Sequence, residues 1–108
     1  MKKNKIVVIE PMFSKNALLK SEIQKKFKDV YFNKKKIKEV ELKRIVKNAD
    51  GVILGLQNFD KNIIDSAKDL KIIAKFGVGV DNIDLIYAKK KGVKIKRALN
   101  WNKVAVAE

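Results

Sequence analysis

The chain has 108 residues, and its 26 Lys and Arg against 12 Asp and Glu leave a net charge of +14 that no histidine adjusts. That length suits one domain, and a hydrophobic content of 46% with only five Gly and one Pro suits a closed core. The lack of cysteine excludes disulfides, zinc-thiolate sites, iron–sulfur clusters and thiol catalysis, and the lack of histidine removes the commonest neutral-pH general base.

The elements read in chain order as consecutive strand-helix units. Lys5 to Glu10 (KIVVIE) is nearly continuous in apolar β-formers, the pattern of a strand covered on both faces. Ser14 is placed to cap a helix over 15–28, with Leu18, Leu19, Ile23 and Phe27 on one side. Asp29 to Phe32 reads as a second strand, and a lysine-rich turn leads to a helix over 37–48 whose inner stripe is Leu42, Ile45 and Val46. Asp50 to Leu56 is the third strand, Asp60 caps a helix carrying Ile63, Ile64 and Ala67, and Lys71 to Phe76 is the fourth strand. After Gly77-Val78-Gly79-Val80, a helix starts at Asp81 or Asn82, carries the stripe Ile83, Ile86 and Tyr87, and ends at Gly92, a natural C′ glycine. Val93 to Lys96 is the fifth strand, and the closing VAVAE opens a further helix.

Five parallel strands with right-handed crossovers make an α/β three-layer sandwich in the flavodoxin-like order 2-1-3-4-5, a single domain over 1–108. Ligands of such sheets bind beyond the carboxyl ends of the strands. The candidate loops are therefore Pro11-Met12-Phe13, Gln57-Asn58-Phe59, Gly77 to Val80 and Ala98 to Asn102.

Those loops exclude several chemistries. A GxGxxG dinucleotide fingerprint needs glycine where Asn82 stands and belongs after a first strand. The first loop has no glycine for a P-loop, and Glu10 stands alone where a phosphoacceptor domain needs clustered acids. The Gly77-Val78-Gly79 turn has two readings: a tight turn needing glycine, or backbone N–H groups aimed at a carboxylate or phosphate oxygen. Asp81 and Asp84 read as capping residues. Trp101 beside Asn102 either borders a cleft or packs on a neighbouring domain.

The charge of +14 invites a nucleic-acid reading, but Arg44 and Arg97 are the only arginines. Lysine runs 25–26, 34–36 and 89–91 fall on separate elements, with no interleaved aromatics. No nucleic-acid partner is expected. No apolar run reaches the roughly 18 residues of a membrane span, and the start MKKNKIVVIE does not make a secretory signal. The expected location is the cytoplasm, away from membranes.

Over Leu70 to Glu108, LKIIAKFGVGVDNIDLIYAKKKGVKI followed by Asn102 and VAVAE resembles the first lobe of the NAD-dependent D-isomer-specific 2-hydroxyacid dehydrogenases, the family of phosphoglycerate dehydrogenase. The most specific piece is GVGVDNID at Gly77 to Asp84, supported by Ala88, Gly92, Asn102 and Val106-Ala107-Glu108; DGVILGLQNFDKNII extends a weaker likeness. The resemblance implies the substrate-binding lobe of an oxidoreductase acting on a small 2-hydroxy or 2-oxo acid. It also implies NAD as cofactor, held mainly by a Rossmann domain expected after residue 108 in the same polypeptide, and a homodimer for the full-length protein.

The family's catalytic Arg, Glu and His fall outside this chain, so no catalytic residue is expected within it and the chain alone is expected to be inactive. By resemblance the substrate is oriented by Gly77, Val78 and Gly79, Val78 also approaches the nicotinamide, Asn102 lies near the interlobe hinge on the cofactor side, and Lys75 supplies charge near the substrate carboxylate. Gln57 and Asn58 are the candidate polar residues of the third-strand loop, and no metal site is expected.

Two departures stand out. Leu54-Gly55-Leu56-Gln57-Asn58 carries none of the positive charge seen there in the phosphoglycerate branch, and Arg97-Ala98-Leu99 replaces Asn-Thr-Pro. Arg97 either meets an anion or lies on the surface. The competing reading is a free-standing flavodoxin-like binding module without hydride-transfer chemistry.

Overall fold

In the computed structural model, which describes residues 5–10, 14–33, 37–76 and 82–98, five strands and four helices alternate along the chain. They are β1 (Lys5–Ile9), α1 (Ala17–Lys26), β2 (Asp29–Asn33), α2 (Glu39–Val46), β3 (Gly51–Leu54), α3 (Lys61–Ser66), β4 (Ile72–Phe76), α4 (Leu85–Lys90) and β5 (Lys94–Ala98). Every strand pairing is parallel and the order is β2-β1-β3-β4-β5, as the alternation of strand and helix patterns predicts.

The apolar run of β1 is explained by burial on both sides. Val7 and Ile9 join one core with Val52, Leu54 and Ile73, while Ile6 and Val8 join a second with Ile53. Onto the first face pack Leu42 and Val46 of α2, Ile63 and Ile64 of α3, and Ala88 of α4; onto the second pack Leu19 and Ile23 of α1. The result is three layers. Truncating a fully buried residue such as Leu42 costs about 2–5 kcal/mol, because the transfer energy is lost and a cavity remains.

At the amino edge the sheet is tied by Asp50, whose Oδ2 accepts from Lys5 N–H at 2.8 Å and whose Oδ1 lies 3.8 Å from Lys71 Nζ. The backbone continues the tie, with Asp50 N–H donating to Lys5 O and Lys71 N–H to Asp50 O, both at 2.8 Å.

The helix ends show which local signals prevail. Asp60 caps α3 by accepting from Ile63 N–H at 3.2 Å, and Gly92 ends α4 at φ 79°. The expected Ser14 cap is corrected: Asn16 caps α1, its Oδ1 accepting from Leu19 N–H at 3.0 Å, while Ser14 is fully buried and its Oγ has no hydrogen-bond partner among the described residues. Starting at Ala17, α1 turns Leu18 to solvent at 62% exposure and keeps Leu19 and Ile23 inside.

The start of α4 is also corrected. Asp84, not Asp81 or Asn82, is its N-cap and accepts from Tyr87 N–H at 3.0 Å. The helix begins later than its apolar pattern suggests because residues 82–83 are engaged by another loop, so Ile86 faces solvent and Ala88 packs inward. α2 is shorter than its expected span, at 39–46, as is β3, at 51–54; β4 runs 72–76 and β5 94–98.

Candidate functional site

Among the described residues, the carboxyl edge of the sheet is formed by the ends of β1, β3 and β4 and the loop that leaves β3. Register places Ile9, Leu54, Lys75 and Arg97 in one row across β1, β3, β4 and β5. Leu54 and Ile9 belong to the core, so Lys75 takes an apolar row to its rim: it is 2% exposed. Burial lowers its pKa from the ordinary lysine value, since desolvation penalises the ammonium, and the negative charge of Glu10 opposes that shift.

Glu10, 8% exposed, follows β1 directly. It leans over Gly55, where an added Cβ would overlap Glu10 Oε1 and stand 2.8 Å from Cγ and 3.0 Å from Cδ. Glycine at this position makes that close approach possible. Gly55 N–H meanwhile donates to Ile9 O at 3.0 Å, carrying the β1–β3 ladder one residue past the strand.

The loop after β3 is fastened to the segment before α4. Asn82 Nδ2 donates to Gly55 O at 2.9 Å and to Gln57 O at 2.7 Å. In return Phe59 N–H donates to Asn82 O at 2.7 Å and Asp84 N–H to Phe59 O at 3.2 Å, forming a parallel bridge between Phe59 and Ile83. Phe59 is fully buried and anchors the loop, whereas Leu56 is 88% exposed, Asn58 is exposed and Gln57 half-buried. One wall of the edge is thus rigid backbone with polar side chains at its crest.

The structure therefore brings Lys75 to the same edge as the Gln57-Asn58 loop. Gly77, Val78, Gly79 and Asn102, together with Pro11 to Phe13, Val80, Asp81, Leu99 to Trp101 and VAVAE, lie outside the described residues. Sequence reasoning missed Glu10, set aside as a lone acid, and Asn82, treated as a helix start. The signal for Asn82 was its place inside GVGVDNID; for Glu10 it was a glycine ending the strand next to its own.

The position where a GxGxxG fingerprint would have its third glycine is held by Asn82, whose amide donates to two carbonyls. Among the described residues no group of three or more His, Cys, Asp or Glu could hold a metal ion, and no helix is long and apolar enough to cross a membrane.

Comparison with known proteins agrees with this architecture. Residues 6–108 match the family described as D-isomer specific 2-hydroxyacid dehydrogenase, catalytic domain. A protein of Staphylococcus aureus (strain USA300) assigned to the 2-hydroxyacid dehydrogenases is 43% identical over 68 residues, which are 62% of this chain and 22% of that protein. The NAD+-bound 3-phosphoglycerate dehydrogenase of Entamoeba histolytica superposes with a TM-score of 0.76 at 29% identity, covering 90% of this chain and 33% of that one. The D-lactate dehydrogenase of Escherichia coli shares the fold, with a TM-score of 0.71 at 22% identity over 88% of this chain and 31% of its own. The chain thus spans about a fifth to a third of the length of these relatives. With its parallel sheet in the order 2-1-3-4-5, its GVGVDNID segment and a family match over nearly its whole length, the chain belongs to the D-isomer specific 2-hydroxyacid dehydrogenase family.

Proposed function

We propose that this chain is the substrate-binding lobe of an NAD-dependent D-2-hydroxyacid dehydrogenase, and that it holds the carboxylate of a small 2-hydroxy or 2-oxo acid at the carboxyl edge of its sheet. The observation that carries this reading is Lys75, a cation 2% exposed at the penultimate position of β4, two residues before Gly77-Val78-Gly79. A buried ammonium is costly unless an anion meets it, and a carboxylate of the substrate serves as that anion beside the Glu10 charge. Lys75 acts as a point donor; the amides of Val78 and Gly79 complete the cradle, with Gln57 and Asn58 at its rim. Orientation of the acid is the lobe's share of catalysis.

The reading assigns NAD mainly to a separate Rossmann domain of the same polypeptide, with Val78 and Asn102 on the nicotinamide side. Hydride transfer is the chemistry the cofactor supplies. Support comes from the family match and from coverage of one third of the NAD+-bound Entamoeba enzyme. The same reading makes the full-length protein a cytoplasmic homodimer and the chain alone inactive.

Titration of the 15N-labelled chain with D-glycerate tests this. Saturable shifts at Lys75, Gly77 to Gly79 and Gln57 are expected, with no NADH consumed when the chain is mixed with NADH and glyoxylate. Shifts confined to other surfaces would sink the assignment.

A further inference from the structure

Among the described residues β5 pairs only with β4, so it forms one edge of the sheet. Lys94 N–H donates to Lys71 O at 2.9 Å on the β4 side, and the alternation of a parallel ladder therefore turns the N–H and C=O of Ile95 outward. Beside that edge a groove of about 550 Å³ runs between α4 and β5. Leu85, Val93 and Ile95 give it an apolar floor, while Lys89, Lys94 and Lys96 stand along it, all three exposed. Ile95 packs with the core on the α4 side of the sheet, so the pleat sends Lys94 and Lys96 to the opposite face. The edge thus presents apolar surface on one face, outward-facing backbone at its rim and ammonium groups on the other face.

We propose that the outer edge of β5 is a docking site for an extended acidic segment of a partner protein, which joins the sheet as a sixth strand with its apolar residues in the α4 groove and its carboxylates against the lysines. An added strand alternates its side chains as β5 does, so the fitting sequence alternates apolar and acidic residues over about five positions, the length of β5. Charge decides among the occupants. A second copy of this chain carries +14 and would bring like charge to a lysine-bearing edge, the arrangement by which edge strands resist self-pairing. A nucleic acid would meet the lysines but leave the apolar floor and the outward amides unused, and among the described residues no aromatic side chain lines the groove for a base to stack on. The proposal does not rest on the acid site at the carboxyl ends of the strands.

Fluorescence anisotropy with a fluorescein-labelled Val-Glu-Val-Glu-Val-Glu-Val peptide tests this, against a block peptide of the same composition and a copy whose backbone amides are N-methylated. The chain is expected to bind the alternating peptide saturably and at least tenfold more tightly than either control, with amide shifts in the 15N-labelled chain centred on Leu85 and Ile95. Lys89→Glu combined with Lys94→Glu, both exposed side chains, should weaken that binding tenfold or more. Equal binding of the block or the N-methylated peptide would reduce the effect to charge attraction and overturn the proposal, as would absent binding, shifts confined to other lysine-bearing faces or an unchanged affinity in the folded double variant. Tighter capture of a single-stranded oligonucleotide at the same amides would assign the edge to nucleic acid, and a dimer in sedimentation whose β5 amides shift on dilution would assign it to a second copy; either result overturns the proposal.

Discussion

Asn82 places its side-chain amide 2.9 Å from the carbonyl of Gly55, a residue 27 positions earlier in the chain. A second N–H of the same amide reaches Gln57 O at 2.7 Å. One side chain thereby holds the loop after β3 against the segment before α4. The edge where Lys75 emerges inherits its shape from that clamp.

Removing the clamp leaves two part-buried carbonyls without their donor. Asn82→Ala is expected to cost about 2 kcal/mol, at about 1 kcal/mol per lost bond, and to lower the melting temperature by roughly 10 °C. Asn82→Asp keeps the shape but turns an acceptor toward two carbonyl acceptors, so it should destabilise at least as much. A melting temperature for Asn82→Asp equal to that of the unmodified chain would refute the clamp.

The cap of α1 can be tested by contrast. Asn16→Ala removes the acceptor for Leu19 N–H and should cost about 1 kcal/mol in urea unfolding. Ser14→Ala should be neutral or slightly stabilising, because the fully buried Ser14 Oγ has no partner to lose among the described residues. Reversal of this order would restore Ser14 as the cap.

At Gly92 the backbone adopts φ 79°, and an added Cβ would meet nothing within 4 Å. The cost of Gly92→Ala is therefore backbone strain alone, about 1 kcal/mol. Gly92→Asn should recover part of it, since asparagine tolerates the left-handed region. Chemical denaturation of the two variants checks the ranking, with acid binding unchanged in both.

Lys75 carries a pH signature whose sign follows from burial. Its folded pKa lies below the unfolded value, so the unfolded chain binds the extra proton between the two, and the stability penalty of the buried ammonium is relieved as pH rises through that window below 10.5. Anion binding should weaken over the same rise, because the ammonium is lost. Lys75→Met is expected to abolish both dependences, raise the melting temperature at pH 7 and weaken D-glycerate binding tenfold or more. A pH-stability curve that Lys75→Met leaves unchanged would show that this ammonium is not the titrating group.

Much of the architecture is written locally. The Asp60 cap and the Gly92 stop rest on a bond and a conformation within a few residues, the unbroken apolar run of β1 marks it as a strand covered on both faces, and parallel strands alternating with helices leave few sheet orders open. The position of Lys75 at a strand end was legible for the same reason. Helix phase was less so: Leu18 and Ile86 look like inner residues by spacing, yet both are exposed. The start of α1 is set by Asn16, and that of α4 follows a bridge from Phe59 to Ile83, 24 residues away in sequence.

The character of the site was decided by tertiary structure alone. The order that puts β3 between β1 and β4 is expected from the sequence, but nothing in the spacing of Glu10 and Gly55 along the chain shows that a missing side chain on β3's exit makes room for a carboxylate. Electrostatic and steric coupling act through space, over distances that the sheet order sets and the sequence separation conceals. Hydrogen bonds within one helical turn are encoded by neighbours, whereas those of Asn82 exist only once two distant loops have been brought to the same edge.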